Sequence, residues 1–185
     1  MRSLATATRC PLCDKPVNLL ADYFATSGDF LAPDHPLYPY AGAKMHWDCY
    51  EPWPCRPELA RPFVEAWIKA NRANPYWAEA YRDNQVYVSA NPMPPIAEVS
   101  LRFYETGNDV RVPLDDWPLW IADKDRRADL REMDRECLSR SLDRIRAALP
   151  DIVTIRSLTG RTRVPIRSAA VPTMPTTPRQ PRWQV

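Results

Sequence analysis

Cys10-Pro11-Leu12-Cys13 and, farther along, His46-Trp47-Asp48-Cys49-Tyr50 are the two stretches on which the reading of this chain turns. A Cys-x2-Cys step brings two thiolates toward one point, and a His and a Cys three residues apart on a helical turn face the same way. Three sulfurs and one imidazole are a donor set for a tetrahedral zinc ion, so Cys10, Cys13, His46 and Cys49 are expected to hold one zinc. Four protein ligands leave no coordination position for a substrate, which makes the expected site structural and not catalytic. A redox disulfide between Cys10 and Cys13 lacks a surrounding βαβ pattern and leaves His46 and Cys49 without a role. Cys55, beyond Pro52 and Pro54, stays open as a replacement ligand, and Cys137 reads as a small core residue.

With these residues in view, the stretch from 10 to 49 resembles the first zinc module of LIM domains and, more broadly, treble-clef zinc fingers. The resemblance rests on Cys10-Pro-Leu-Cys13, on His46-Trp-Asp-Cys49-Tyr50 and on the aromatic residues beside the second pair. It covers about a quarter of the chain. It implies a knuckle, a small β-hairpin, a second ligand pair at the start of a short helix, and a role in protein recognition. A second module is absent, because only Cys55 follows nearby.

Working outward, Leu59, Phe63, Val64, Trp67, Ile68 and Ala70 recur at helical spacing and predict a helix over 58–71, with Pro57 in its first turn. A second short helix is expected at about 76–82. Residues 86–90 read as a strand ended by the Pro-rich run 91–95. Val99, Leu101 and Phe103 then alternate with polar residues, and the alternation resumes at Val110, Val112 and Leu114 after Thr106-Gly107-Asn108-Asp109, which predicts a hairpin. Pro113 has no N–H for a ladder, so the second strand belongs at an edge. Asp115 and Asp116 are placed to cap a short helix carrying Trp117 and Trp120 as core anchors. The longest helix is expected from about 125 to 149, with Leu130, Met133, Cys137, Leu138, Leu142, Ile145 and Leu149 on one face and Pro150 as its stop. Residues 152–155 are apolar enough for a last strand.

Composition bounds the rest. Seven Trp and eight Tyr supply large apolar surfaces for a core, whereas 21 Pro against only 4 Gly stiffen the loops. No stretch reaches the ~18 apolar residues of a membrane span and residues 1–9 contain no secretory apolar run, so a soluble cytoplasmic protein without membrane contact is expected. The net charge of +2 conceals an asymmetry: the chain to Asp151 carries −4, and six Arg after it carry +6. From Gly160 onward Pro, Thr, Ser and Arg dominate, and such a segment is expected to be disordered on its own and to dock on an acidic partner or a phosphate.

Other motifs are thinner. Asp34-His35-Pro36 is similar to the His motif of HNH nucleases and would make His35 a general base, yet their companion Asn and second metal-holding His have no counterpart here, since the other His is His46. Tyr23, Phe24, Phe30, Tyr38 and Tyr40 crowd the excursion between the ligand pairs; most are expected to pack around the site and the remainder to form a recognition surface. The four scattered Gly exclude phosphate-cradling loops, and Asp115 and Asp116 are adjacent and so do not converge on a substrate.

The expected fold class is α+β: a zinc-stapled N-terminal module (1–56), an α+β body (57–159) with a small antiparallel sheet of three or four strands and a long amphipathic helix, and a disordered Pro/Arg-rich tail (160–185). The expected function is a non-enzymatic interaction or scaffold module with a protein partner. Nucleic-acid binding through the zinc region and basic tail is the alternative, and an HNH-like hydrolase a second. Residues 10–49 hold only Lys15 and Lys44 against Asp14, Asp22, Asp29, Asp34 and Asp48, which favours protein over nucleic acid.

Overall fold

In the body of the chain, alternating Val, Leu and Phe produce a meander of four antiparallel strands: β3 (Ala78–Arg82), β4 (Val86–Asn91), β5 (Glu98–Phe103) and β6 (Asp109–Pro113), hydrogen-bonded in that order. The computed structural model describes residues 8–28, 30–72, 74 and 76–161. Earlier in the chain lie two short strands, β1 (Phe24–Ala25) and β2 (Lys44–Met45), paired antiparallel, and then α1 (Trp47–Tyr50) and α2 (Arg56–Asn71). After the sheet come α3 (Trp117–Ala122), α4 (Glu132–Ala148) and α5 (Ile152–Arg161). The expected α+β class holds, and β6 with Pro113 lies at the sheet edge. No described helix is long and apolar enough to cross a membrane. The basic tail lies outside the described residues beyond Arg161.

One face of the sheet carries Val86, Val88, Val99, Leu101, Phe103 and Val112, all buried against Trp117, Ile121, Leu138, Ile145 and Ile155 from α3, α4 and α5. The opposite face presents Tyr87 and the following Tyr104 to Val64, Trp67 and Ile68 of α2. Helices on both faces explain why every residue of β4 is buried. Trp117, fully buried, donates its indole N–H to the Leu149 carbonyl at 3.0 Å and stacks on Trp120, so both Trp are core anchors. Cys137 is likewise buried in this core.

Three expectations need correction. The segment expected as a helix over 76–82 is strand β3 from Ala78, paired with β4 from Ala78↔Ala90 to Arg82↔Tyr87 with a bulge between Glu79 and Tyr81. Its Ala and Glu favour helix locally, but Asp83 Oδ1 accepts the N–H groups of both Gln85 and Val86, and this side-chain-held turn folds the segment back onto β4. Residues 152–155 are the first turn of α5 and not a strand: Asp151 accepts the Thr154 N–H at 2.7 Å in the manner of an N-cap, and a four-residue apolar run fits either state. The long helix begins at Glu132, not near 125, because residues 125–127 form a separate 3-10 turn whose Arg127 donates to the Trp120 and Ile121 carbonyls at the end of α3. Smaller differences are that α2 starts at Arg56 and not at 58, with Pro62 inside it, and that Asp116 precedes α3 without a side-chain capping bond.

Candidate metal centre

The first ligand pair is fixed by a tight turn. Cys10 N–H donates to the Lys15 carbonyl, while the Cys10 carbonyl accepts from Cys13 and Asp14, and Asp14 takes φ +58, a left-handed conformation that Asp tolerates. Arg9 and Pro16 form a bridge beneath the turn. The second pair stands at the start of α1: His46 occupies the N-cap position with extended backbone, and its carbonyl accepts from Cys49 and Tyr50. His46 and Cys49 thus share one face of a single helical turn.

These elements bring the Sγ atoms of Cys10, Cys13 and Cys49 and a ring nitrogen of His46 within 4.8 Å of one another, a group able to hold a metal ion. A tetrahedral ion with ~2.3 Å bonds to sulfur and ~2.0 Å to nitrogen needs S···N edges of about 3.5 Å and S···S edges of about 3.8 Å. His46 Nδ1 lies 3.4 Å from Cys13 Sγ and 3.9 Å from Cys49 Sγ, so the donors stand at the right scale. His46 Nε2 donates to the Pro16 carbonyl at 3.0 Å, an arrangement that leaves the Nδ1 lone pair facing the sulfurs and fixes the ring. All four sequence-predicted ligands meet; Cys55, at the N-terminal boundary of α2, is not in the group.

Without a metal the thiols differ. The Lys15 backbone N–H, opposed by burial and aided by the neighbouring thiols and His46, lowers Cys13 to about 7, whereas burial and proximity to Cys13 push Cys49 up to about 11. The Pro16 carbonyl, followed by Cys13, raises His46. Cys13 is thus more acidic than Cys49, and a bound cation would draw off the thiol protons of its ligands.

The aromatic residues of the excursion pack as expected. Phe24 stacks on Tyr50 at 3.8 Å and meets the edges of Trp47 and Phe63, Tyr40 lies against Trp53, and Phe30 against Phe63. Leu59 and Phe63 of α2 complete this core. His35 is not among the grouped metal-ligating residues; its Nδ1 accepts the Leu37 N–H within its own loop.

Sequence reasoning missed what ties the centre to the body. Tyr50 donates its hydroxyl proton to the Thr106 carbonyl, and burial raises its pKa. Arg131 pairs with Asp22 and Glu51 and lies 4.0 Å over the Trp47 ring, while Trp47 Nε1 donates to Asp22. Asp134 is buried in the first turn of α4, where it accepts from Thr106 and Asn108. None of these partners stands at a spacing that a single sequence marks. Comparison of the chain with family models, curated proteins and solved structures gives no match.

Proposed function

We propose that Cys10, Cys13, His46 and Cys49 hold one structural zinc ion, and that the chain is a non-enzymatic protein-interaction module of treble-clef, LIM-like type. The observation that carries the reading is the four-donor group set on a knuckle, a strand pair and a helix start in that chain order. Such a donor set fills a tetrahedral shell, so its effect is to rigidify the surface around it and not to activate water. That surface includes Leu19 and Leu20 in the loop before β1, with Leu20 98% exposed. The same region exposes Asp34 and Asp48, together with Asp14 and Asp22, which pair with Arg9 and Arg131. An apolar anchor in an acidic region suits a partner with an apolar pocket and a basic rim.

The test is zinc content by elemental analysis together with affinity capture from the native host, using wild type, Cys13→Ser, and a Leu19→Ser/Leu20→Ser double variant. Wild type and the leucine variant should each carry one zinc per chain and Cys13→Ser none. Only wild type should retain the captured partner. A wild-type chain with no zinc or two overturns the metal assignment, and equal capture by the leucine variant overturns the surface. Metal-dependent cleavage of DNA or RNA that disappears in His35→Ala would replace the reading with the hydrolase one.

A further inference from the structure

A cleft of about 400 Å³ opens where the metal-centre region meets the sheet, between β1, Trp47, α2 and the β5–β6 hairpin. Phe24, Trp47, Phe63 and Trp67 line it together with Ser27, Asn108 and Asp109, which make its accessible surface more polar than apolar, and Arg102 of β5 is the cation among its described lining residues. Arg102 is only 6% exposed. Its guanidinium lies 3.8 Å over the Trp67 ring and 6.0 Å from the Phe63 ring. A charged side chain so deep is expected to have every donor filled, yet its buried Nε has no hydrogen-bond partner among the described residues.

Among the described residues the carboxylate paired with it is that of Asp109. Asp109 Oδ2 accepts from Arg102 Nη2 at 3.2 Å and from Arg111 Nε at 3.0 Å, and Oδ1 accepts from Ser100 at 2.5 Å. Asp109 thus divides its two oxygens among Arg102, Arg111 and Ser100, and Arg102 receives a single contact where a free carboxylate offers two parallel ones. Glu98 pairs with Arg111 and leaves the Arg102–Asp109 contact as it is. Burial holds Arg102 below the usual arginine range, to about 10, which still leaves it charged at neutral pH.

We propose that this cleft is a binding site for a carboxylate carried on an apolar, aromatic body, with Arg102 taking the carboxylate and Phe63 and Trp67 flanking the body. A phosphate dianion fits less well, because the single lining Arg already shares its charge with Asp109. A cationic ligand is disfavoured, because Arg102 itself occupies the face of Trp67. The cleft has the size of a small-molecule site, roughly 300–1,000 Å³, and stands where two packed regions meet, a common place for one. A free small acid and the C-terminal residue of a polypeptide present the same chemistry.

The test uses the full chain, with the Trp67 indole N–H and the Gly107 amide followed by NMR. N-acetylphenylalanine should shift both signals and saturate, its amide should bind at least about ten-fold more weakly, a loss on the scale of one charge-assisted contact, and Arg102→Gln should abolish the response. Because Arg102 is buried and that variant can lose its fold, Ala25→Trp at an exposed cleft position provides a second block that leaves the core untouched. Equal binding of acid and amide, unchanged binding to Ala25→Trp, or no shift at millimolar acid overturns the proposal. A short peptide ending in Phe, free or amidated at its C terminus, separates the sources. Tighter binding of the free-ended peptide than of the small acid assigns a polypeptide terminus, and equal binding assigns a small acid.

Discussion

The two cores of this chain are built from different materials. Around the four ligands the core mixes aliphatic residues such as Leu31, Leu37 and Leu59 with an aromatic cluster in which Phe24 makes ring contacts with Trp47, Tyr50 and Phe63, and the strands it supports are only two residues long. The sheet body is aliphatic, with Val and Leu of β4 and β5 interleaved over strands of six residues and closed by three helices. A strand pair of two residues contributes few ladder bonds, so the first core depends on rings and on whatever joins its ligands. The second has a continuous layer in which each buried Val or Leu contributes roughly 1.5–3 kcal/mol. The metal centre should therefore be the conditional part of the molecule and the sheet the permanent one.

Removing the metal is the strongest test of that contrast. If zinc binding of about 10–16 kcal/mol is the folding energy of such a centre, chelation should erase amide hydrogen-exchange protection over residues 44–50 while β4 and β5 keep theirs. Protection that survives chelation at Cys49 and Tyr50 would mean that the aromatic cluster folds alone. The next largest effect belongs to the other core. Leu101 is fully buried in the central strand β5, and Leu101→Ala should cost about 2–5 kcal/mol by urea denaturation without changing zinc content.

How far the two regions were legible follows from the same difference. The ligands were legible because coordination demands particular residue types at fixed spacing, and Cys10, Cys13, His46 and Cys49 do meet. The β5–β6 hairpin was legible because Val99, Leu101 and Phe103 alternate against Val110 and Val112, which pair as read. Strand β3 was not, since its Ala78 and Ala80 have no strong strand preference and its identity is imposed by Asp83 and by β4. Nor was Arg102 visible as a buried charge: in sequence it is one more polar residue in an alternating strand. Burial on that face is imposed by α2, which packs there through Val64, Trp67 and Ile68.

Asp83 supplies a prediction of intermediate size within the body. It accepts from Ser141, Tyr81, Arg144 and two backbone N–H groups, so Asp83→Ala should cost about 1–3 kcal/mol. Burial alone would raise its pKa, but the bonds from Ser141, Val86, Gln85 and Tyr81 outweigh it and hold it below 3.8. A depressed folded value contributes stability that is present above 3.8 and lost as pH falls through the folded value. Asp134 has the opposite sign: burial raises it, and its penalty, present at neutral pH, is relieved as pH falls through its folded value. Urea midpoints measured down to about pH 3 should fall less steeply below about pH 4 in Asp83→Asn than in wild type. Parallel profiles would remove Asp83 as a source of acid lability.

The smallest effect should come from the clamp that joins the regions. Arg131 pairs with Glu51 at 3.0 Å, pairs with Asp22, and covers the Trp47 ring at 4.0 Å. Asp22 is largely exposed, so its pair is screened by water and salt, and the ring contact at a partly exposed site is worth about 0.5–1 kcal/mol. Arg131→Ala should therefore cost only about 1 kcal/mol at low salt and less as the Debye length shrinks toward ~3 Å at 1 M. Because Leu59 and Phe63 of α2 already seat in the aromatic core while Val64 and Ile68 of the same helix seat against the sheet, the two regions remain joined without the arginine. The discriminating measurement is zinc-loaded stability of Arg131→Ala against wild type at low and high salt. A loss above about 3 kcal/mol that salt does not reduce would exceed what two partly exposed ion pairs and one ring contact can supply. The junction would then be held by Arg131 and not by the shared helix, and the division into a conditional and a permanent core would have to give way to one cooperative unit.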